Sequence, residues 1–374
     1  MTLGATDDAR LREDAFELLV DGESYDAWKT VLFERRLDTI TARFSVAAQP
    51  IPGVAWPLPT GTRVEARVAS ERLLTGHVFA VDGQLADRVL SAHGRDLTAD
   101  LVDSSTTVEP SEFKGLTLAQ LASRLVEPFS LELVNLVGAG EPFEVFRIQQ
   151  GETAFAALER AARLRGVLVT ADGFGRIVLE RPSTGPDAAP REALVEGENI
   201  RDAALRDDTQ GRFSRYVVKG QRSGSDFAAG GDVRAIEGIA FDGSFSPDRF
   251  RPLVIIAEGQ VTFSSAEDRA RWEATVRAAR SQTLDVVVES WRRRGVGELW
   301  RVNELVDVVI PTWQIDSTML VAGVRFERGA QTGEQTTRSV VRRGAFVTQP
   351  RVDEDNPFQN LRAGELVDEL DRER

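Results

Sequence analysis

From Glu17 to about Ser105 short runs alternate with a period of two, and this alternation constrains the fold more than any other feature of the sequence. Phe16, Leu18 and Val20 fall on alternate positions, as do Phe44 and Val46, and Val64, Ala66 and Val68. Arg63, Glu65 and Arg67 interleave the last set. Successive side chains of a strand point to opposite faces, so each run has one face for a core and one for solvent. Asp21-Gly22, Pro50 to Pro59 and Asp82-Gly83 interrupt the runs and are predicted as turns. Many short strands at this spacing predict a small barrel or sandwich. At the end of the stretch, Leu97, Ala99 and Leu101 are expected on one face and Thr98 and Asp100 on the other. Asp103-Ser104 then closes a strand.

Glu109 to Pro182 has a different period. Leu118, Leu121, Leu125 and Val126 form a helical stripe after Thr117, and Phe155, Leu158 and Leu164 form another after Thr153. Strand-like segments follow each, Ser130 to Val137 after the first, then Val167 to Val169 and Arg176 to Glu180 after the second. Gly-x-Thr opens both helices, at Gly115 and Gly151, so the segment reads as a helix–strand duplication with two helices on a small sheet. Thr184 to Glu192 is a linker rich in proline, glycine and alanine. Strands return at Arg215 to Lys219, Leu253 to Val261, Leu284 to Ser290, Arg301 to Ile310 and Met319 to Glu327. One helix interrupts them, with Ser264 and Glu267 as a capping box and Trp272, Val276 and Ala279 as its apolar stripe.

Composition removes whole classes of chemistry. The chain of 374 residues has no cysteine, which excludes disulfides, thiolate catalysis and zinc–sulfur sites. Only His77 and His93 are available for a metal site or a Ser-His-Asp triad, and both are read as structural. No cofactor is implied. No stretch reaches the ~18 apolar residues of a membrane span, and the polar, acidic start is not a signal peptide. The net charge of −13 argues against nucleic-acid binding, which relies on neutralising phosphates. Lys29, Lys114 and Lys219 are the only lysines, so the cations are nearly all arginine, the residue of bidentate ion pairs and subunit contacts.

Three local patterns suggest activities. Asp103-Ser104-Ser105 and Asp316-Ser317-Thr318 resemble the paired aspartates of an acid protease, but Ser105 and Thr318 stand where a glycine should let the backbone approach the shared proton. The segment 147–165, opening Arg147-Ile148-Gln149-Gln150-Gly151-Glu152-Thr153, resembles a LysM-type peptidoglycan-binding module, although Gly-x-Thr also serves as a helix cap. Trp291-Arg292-Arg293-Arg294 is the candidate interface cluster, because tryptophan and arginine are enriched as anchors between subunits. The competing account of Trp291, and of Trp272 and Trp300, is burial in a core.

A set of ordered motifs adds a resemblance. Gly22, Tyr25, Trp28, Thr30-Val31-Leu32 and Phe44 come first, then Gly94-Arg95 and Thr98-Ala99-Asp100-Leu101-Val102-Asp103. Arg269-Ala270-x-Trp272-Glu273, Val286-x-Val288-x-x-Trp291-Arg292, Gly297-x-Leu299-Trp300-x-x-Asn303 and Asp316-x-x-Met319-Leu320 follow. Together they resemble the baseplate hub proteins of Mu-like contractile phage tails. Ser290 before Trp291 and Val302 before Asn303 depart from the usual glycine and proline.

The resemblance implies a virion protein of the tail baseplate, assembled in the host cytoplasm, that is structural and not an enzyme. It implies a homotrimer whose six barrels form a pseudo-sixfold ring. That ring joins the hexameric tail tube to the trimeric central spike and contacts sheath or wedge proteins. DNA passes through without being bound in a sequence-specific way, and an acidic lumen would repel it. The expected fold class is mixed β and α+β, with two small β-barrel or β-roll domains and an α+β two-layer sandwich between them. The expected divisions are an extension over 1–13, a first barrel over 14–108, the α+β unit over 109–183, a second barrel over 184–349 with a helix inserted at 264–281, and an acidic tail over 350–374.

Overall fold

The computed structural model describes residues 16–184, 188–221, 236–245, 249–260, 263–293, 297–330 and 332–347. The expected extension over 1–13, the acidic tail, Arg294 and the capping side chain of Ser264 lie outside the described residues and side chains. No described helix is long and apolar enough to cross a membrane.

The class is mixed β and α+β, as expected, but the two β regions are continuous with each other. Along one sheet the strands run Asp202–Asp207, Gln282–Glu289, Gly333–Arg342, Ile315–Gly329, Trp28–Arg36, Arg43–Ala48, Val89–Asp96, Glu71–Gln84, Arg63–Val68, Phe16–Val20 and Glu23–Ser24. Leu305–Ile310 pairs with Ile315–Gly329 and, in parallel, with Ala193–Val195, which brings the sheet to 13 strands. The seam is antiparallel and runs from Thr30 opposite Gly329 to Arg36 opposite Gly323. Beneath it a single core takes Leu18, Phe44 and Val64 from the first region and Val286, Trp291 and Val324 from the second. The strand path has two ends and does not close into a barrel among the described residues.

The turn at Asp21-Gly22 is where its residues predict it. Val20 pairs with Glu23, and Asp21 (φ 49) and Gly22 (φ 88) both take the left-handed conformation that a two-residue hairpin requires. Asp82-Gly83 is not a turn. Both residues lie inside Glu71–Gln84, opposite Ser91 and Leu90. A Cβ on Gly83 would meet Leu90 Cδ2 at 2.4 Å, so this glycine serves close approach within the ladder. The chain reverses later, before Arg88 at φ 50.

The strand expected through Asp103 also ends early. Val89–Asp96 is followed by a short helix, Ala99–Asp103. The buried Asp96 carboxylate accepts from Thr98 N at 3.1 Å, Thr98 Oγ1 at 2.6 Å and Ala42 N at 3.0 Å. An aspartate that binds the backbone two residues ahead turns the chain, and here that contact outweighs the alternating pattern. Burial pushes the Asp96 carboxyl above its ordinary range, against the opposing pull of Arg35.

The middle segment has its own core of Leu121, Leu125, Leu158 and Ile177. Helices Leu118–Val126 and Ala154–Leu164 lie with a three-stranded sheet ordered Leu168–Ala171, Ile177–Glu180, Leu133–Asn135. Each Gly-x-Thr acts as a cap. Thr117 Oγ1 accepts from Gln120 N while Gln120 Oε1 accepts from Thr117 N, and Thr153 Oγ1 accepts from Ala156 N.

Strands expected within the second barrel at 215–260 form a separate sheet instead, ordered Ile236–Phe241, Arg215–Gln221, Pro252–Gln260. The helix Phe263–Ser281 covers one face of it, with Ala266 and Ala270 against Tyr216, Val218, Ile236 and Ala240. Gly238 permits this approach, since a Cβ there would lie 2.1 Å from the Ala266 carbonyl carbon.

Candidate functional site

Where the strand Gln282–Glu289 ends, Ser290 takes φ 74 and turns Trp291 back beneath the seam. Trp291 is 1% exposed. Its indole Nε1 donates to the carbonyls of Glu327 at 2.9 Å and Gln335 at 3.1 Å. Phe16, Phe33 and Phe326 surround the ring edge-on, with centroids at 5.3, 6.5 and 5.7 Å. Two of these rings belong to the first β region and one to the second. The chain's own residues enclose Trp291, leaving no surface of it to anchor a partner, because an interface residue must be exposed before it is buried.

The neighbouring arginines work inside the protomer too. Arg292 Nη1 pairs with Glu71 Oε1 at 2.6 Å and Nη2 donates to the Val68 carbonyl at 3.3 Å, tying the end of one β region to the other. Arg293 is almost fully buried and pairs with Glu298 and, at 3.3 Å, with Glu304. Burial pushes the Glu304 carboxyl up and Arg293 pulls it back. The tryptophan–arginine pattern thus marks an intramolecular clamp.

Asp103 and Asp316 are not brought together. Asp103 ends the short helix and is held by Arg95, whose guanidinium keeps the carboxyl below its ordinary range. Asp316 is exposed in the strand Ile315–Gly329, opposite Val309, and is not in a turn. No hydrogen bond or ion pair joins the two among the described residues. His77 lies in the strand Glu71–Gln84, and His93 Nε2 lies 3.3 Å from Asp82 on the neighbouring strand. Among the described residues no group of three or more histidines and carboxylates is arranged to hold a metal ion.

Two features of the structure had no signal in the sequence. Arg338, in the middle of Gly333–Arg342, is fully buried with its guanidinium 3.6 Å from the Trp300 ring centroid. None of its three nitrogens has a hydrogen-bond partner. Burial pushes its pKa down to about 9, with Glu192 opposing. The folded chain therefore binds this proton less tightly than the unfolded chain, so the charge costs stability at neutral pH and the cost falls as pH rises above about 9. Arg338→Met is expected to leave the melting temperature unchanged or to raise it, by about 1–4 kcal/mol of stability, as when other buried charges give way to apolar side chains. A fall of several degrees in a thermal melt at pH 7 would show that the charge has a favourable partner.

The second feature joins the middle segment to the sheet. The turn Asp172 to Gly175 enters the first β region: Arg35 Nη2 donates to the Asp172 carbonyl at 3.0 Å and Thr75 Oγ1 to the Gly173 carbonyl at 3.2 Å. Arg72 lies over the Phe174 ring at 4.8 Å.

Comparison with known proteins bears on this architecture. Residues 98–181 match the family model described as baseplate hub protein gp44-like, second domain, and residues 262–349 match Mu phage baseplate assembly protein GpP, fourth domain. The first match contains the LysM-like segment 147–165. The chain is 29% identical over 349 residues to baseplate hub protein gp44 of Escherichia phage Mu, covering 91% of this chain and 90% of that protein. It superposes on the 43 kDa tail protein of prophage MuSo2 from Shewanella oneidensis with a TM-score of 0.76 and 29% identity, covering 88% of this chain and 99% of that one. A tail protein from Neisseria meningitidis MC58 shares the fold, with a TM-score of 0.73, 21% identity and coverage of 90% and 99%. With similarity that runs in order along both β regions and the segment between them to the baseplate hub proteins of Mu-like phage tails, the protein is a baseplate hub of such a tail and a component of the virion.

Proposed function

We propose that three copies of this hub form a ring that joins the tail tube to the central spike and surrounds the path of the DNA. The observation that carries this reading is the fusion of two β regions into one sheet over one core. A protomer built this way presents two β units side by side, and three protomers supply the six that a hexameric tube requires on one face and a trimeric spike on the other. In this reading residues 14–108 and 184–349 supply the two units, and 109–183 is an attached α+β unit. Neither end of the strand path has a further strand beside it among the described residues, which favours closure by neighbouring chains. The role is structural and not catalytic: Asp103 is engaged by Arg95, and the Gly-x-Thr of the LysM-like segment caps a helix. Spike, tube and sheath or wedge proteins are the partners this reading names.

Class averages of the purified protein by electron microscopy test the proposal. Threefold rings with a near-sixfold outline are expected, alone or with the spike protein. Monomers alone under both conditions would overturn it.

A further inference from the structure

Asn303 is 6% exposed and takes φ 63, the left-handed conformation that asparagine tolerates better than most side chains. Its backbone N–H donates to the Val321 carbonyl at 2.9 Å, which fixes it to the strand Ile315–Gly329 of the second β region. Its side chain holds a different part of the chain. Nδ2 donates to Glu180 Oε2 at 2.8 Å and to the Arg181 carbonyl at 2.9 Å, and Oδ1 accepts from Ser183 N at 2.8 Å. The amide nitrogen and the amide oxygen are both engaged, by residues 120 to 123 positions earlier in the sequence.

Those residues are where the middle unit ends. Glu180 closes the strand Ile177–Glu180, and its other oxygen accepts from Thr170 Oγ1 at 2.6 Å on the neighbouring strand Leu168–Ala171. Beyond Glu180 the backbone leaves the ladder, and Asn303 takes up the polar groups of Arg181 and Ser183. Leu168, on the same small sheet, packs against a cluster that includes Leu37 of the first β region and Leu305, Leu320 and Ala322 of the second. Leu320 and Ala322 alternate with Met319 and Val321, which lie in the main core. Alternate side chains of a strand point to opposite faces, so Leu168 meets the large sheet on the face away from that core. Leu37 N also donates to the Ala322 carbonyl at 2.7 Å, next to the pairing of Arg36 with Gly323, which places this contact at one end of the seam.

We infer that Asn303 is a latch that holds the middle unit across this end of the seam, so that the unit braces the two β regions against each other. The turn at Asp172 to Gly175 is its grip on the first region, and Asn303 is its grip on the second. Two bodies joined along one line hinge about that line unless a third contact spans it. The main core covers the seam from one face, and the middle unit spans it from the other. The brace acts within one protomer and does not depend on the ring.

The test is hydrogen exchange on the full chain at neutral pH. Asn303→Gly keeps the backbone conformation and removes the three side-chain bonds, whereas Asn303→Asp keeps the shape and sets a second carboxylate against Glu180. In both, exchange at Val178 to Ser183 should rise by about tenfold or more, the effect of losing one buried hydrogen bond of ordinary strength. It should also rise at Leu37 and at the Arg36–Gly323 end of the seam. The Thr30–Gly329 end and the helices Leu118–Val126 and Ala154–Leu164 should keep their protection. Adding Glu180→Gln to Asn303→Asp exchanges donor for acceptor across the latch, so protection should return in part. Wild-type exchange in Asn303→Gly, a rise confined to residues 178–183, or no recovery in the paired variant would each overturn the assignment.

Discussion

Trp291→Ala should cost about 3–5 kcal/mol, the range for removing a large buried aromatic side chain, and should unfold both β regions together. The ring fills the space between Phe16, Phe33 and Phe326, which come from opposite ends of the sequence. Its loss also leaves the Glu327 and Gln335 carbonyls without their donor. Because one core spans both regions, the transition should remain a single step by circular dichroism and by tryptophan fluorescence. Trp272→Ala supplies the contrast. That side chain is only partly buried on its helix, where Nε1 donates to the Val347 carbonyl at 2.7 Å. A Trp291→Ala protein that melts like wild type but fails to assemble would return this residue to a subunit boundary.

Gly173→Ala is expected to release the α+β unit from the sheet. A Cβ at this position would lie 1.8 Å from the Arg72 carbonyl oxygen, a backbone atom that cannot swing aside as a side chain can. Overpacking ordinarily costs about 1–3 kcal/mol, and a clash with backbone at a docked turn belongs at the upper end. The cost falls mainly on the junction. The core of Leu121, Leu125, Leu158 and Ile177 does not touch Gly173's contact with Arg72, so the unit itself should stay folded. Hydrogen exchange should therefore rise at Leu73 to Thr75 and Asp172 to Arg176 while the two helices keep their protection. Unchanged exchange at both sites would mean that the turn does not hold the units together.

Local patterns were legible wherever local contacts decide structure. The helices after Thr117 and Thr153 start where their caps predict, because a threonine oxygen bonding the N–H three residues ahead needs no distant partner. The Asp21-Gly22 hairpin is equally self-contained. Asp82-Gly83 misled because the same glycine freedom that makes a turn also lets Leu90 approach across a ladder, and only the partner strand distinguishes the two. Asp96 misled for a related reason: its carboxylate also reaches Ala42, 54 residues away, and so fixes a bend that interrupts the alternation around it. The cluster at Trp291 to Arg294 reads as an anchor between protomers, whereas Trp291 is buried in the core and Arg292 ties to Glu71 of the same chain, because residue type alone does not say whether the surfaces joined belong to one chain or two.

The sequence by itself determined the mixed class, the cores of the individual units and, through an ordered set of short motifs, the baseplate hub family. The class and the cores follow from periodicity, caps and composition, which are properties of neighbouring residues, whereas the family rests on the resemblance of those motifs to known hub proteins. Only the tertiary structure decided that the two β regions share one sheet and one core and that Arg338 is buried against Trp300. The shared sheet depends on which strand edges meet across more than a hundred residues, as Trp28–Arg36 meets Ile315–Gly329. Backbone hydrogen bonds are the same for every residue type, so the pairing of two edges is chosen by the packing of whole faces and leaves no local signature.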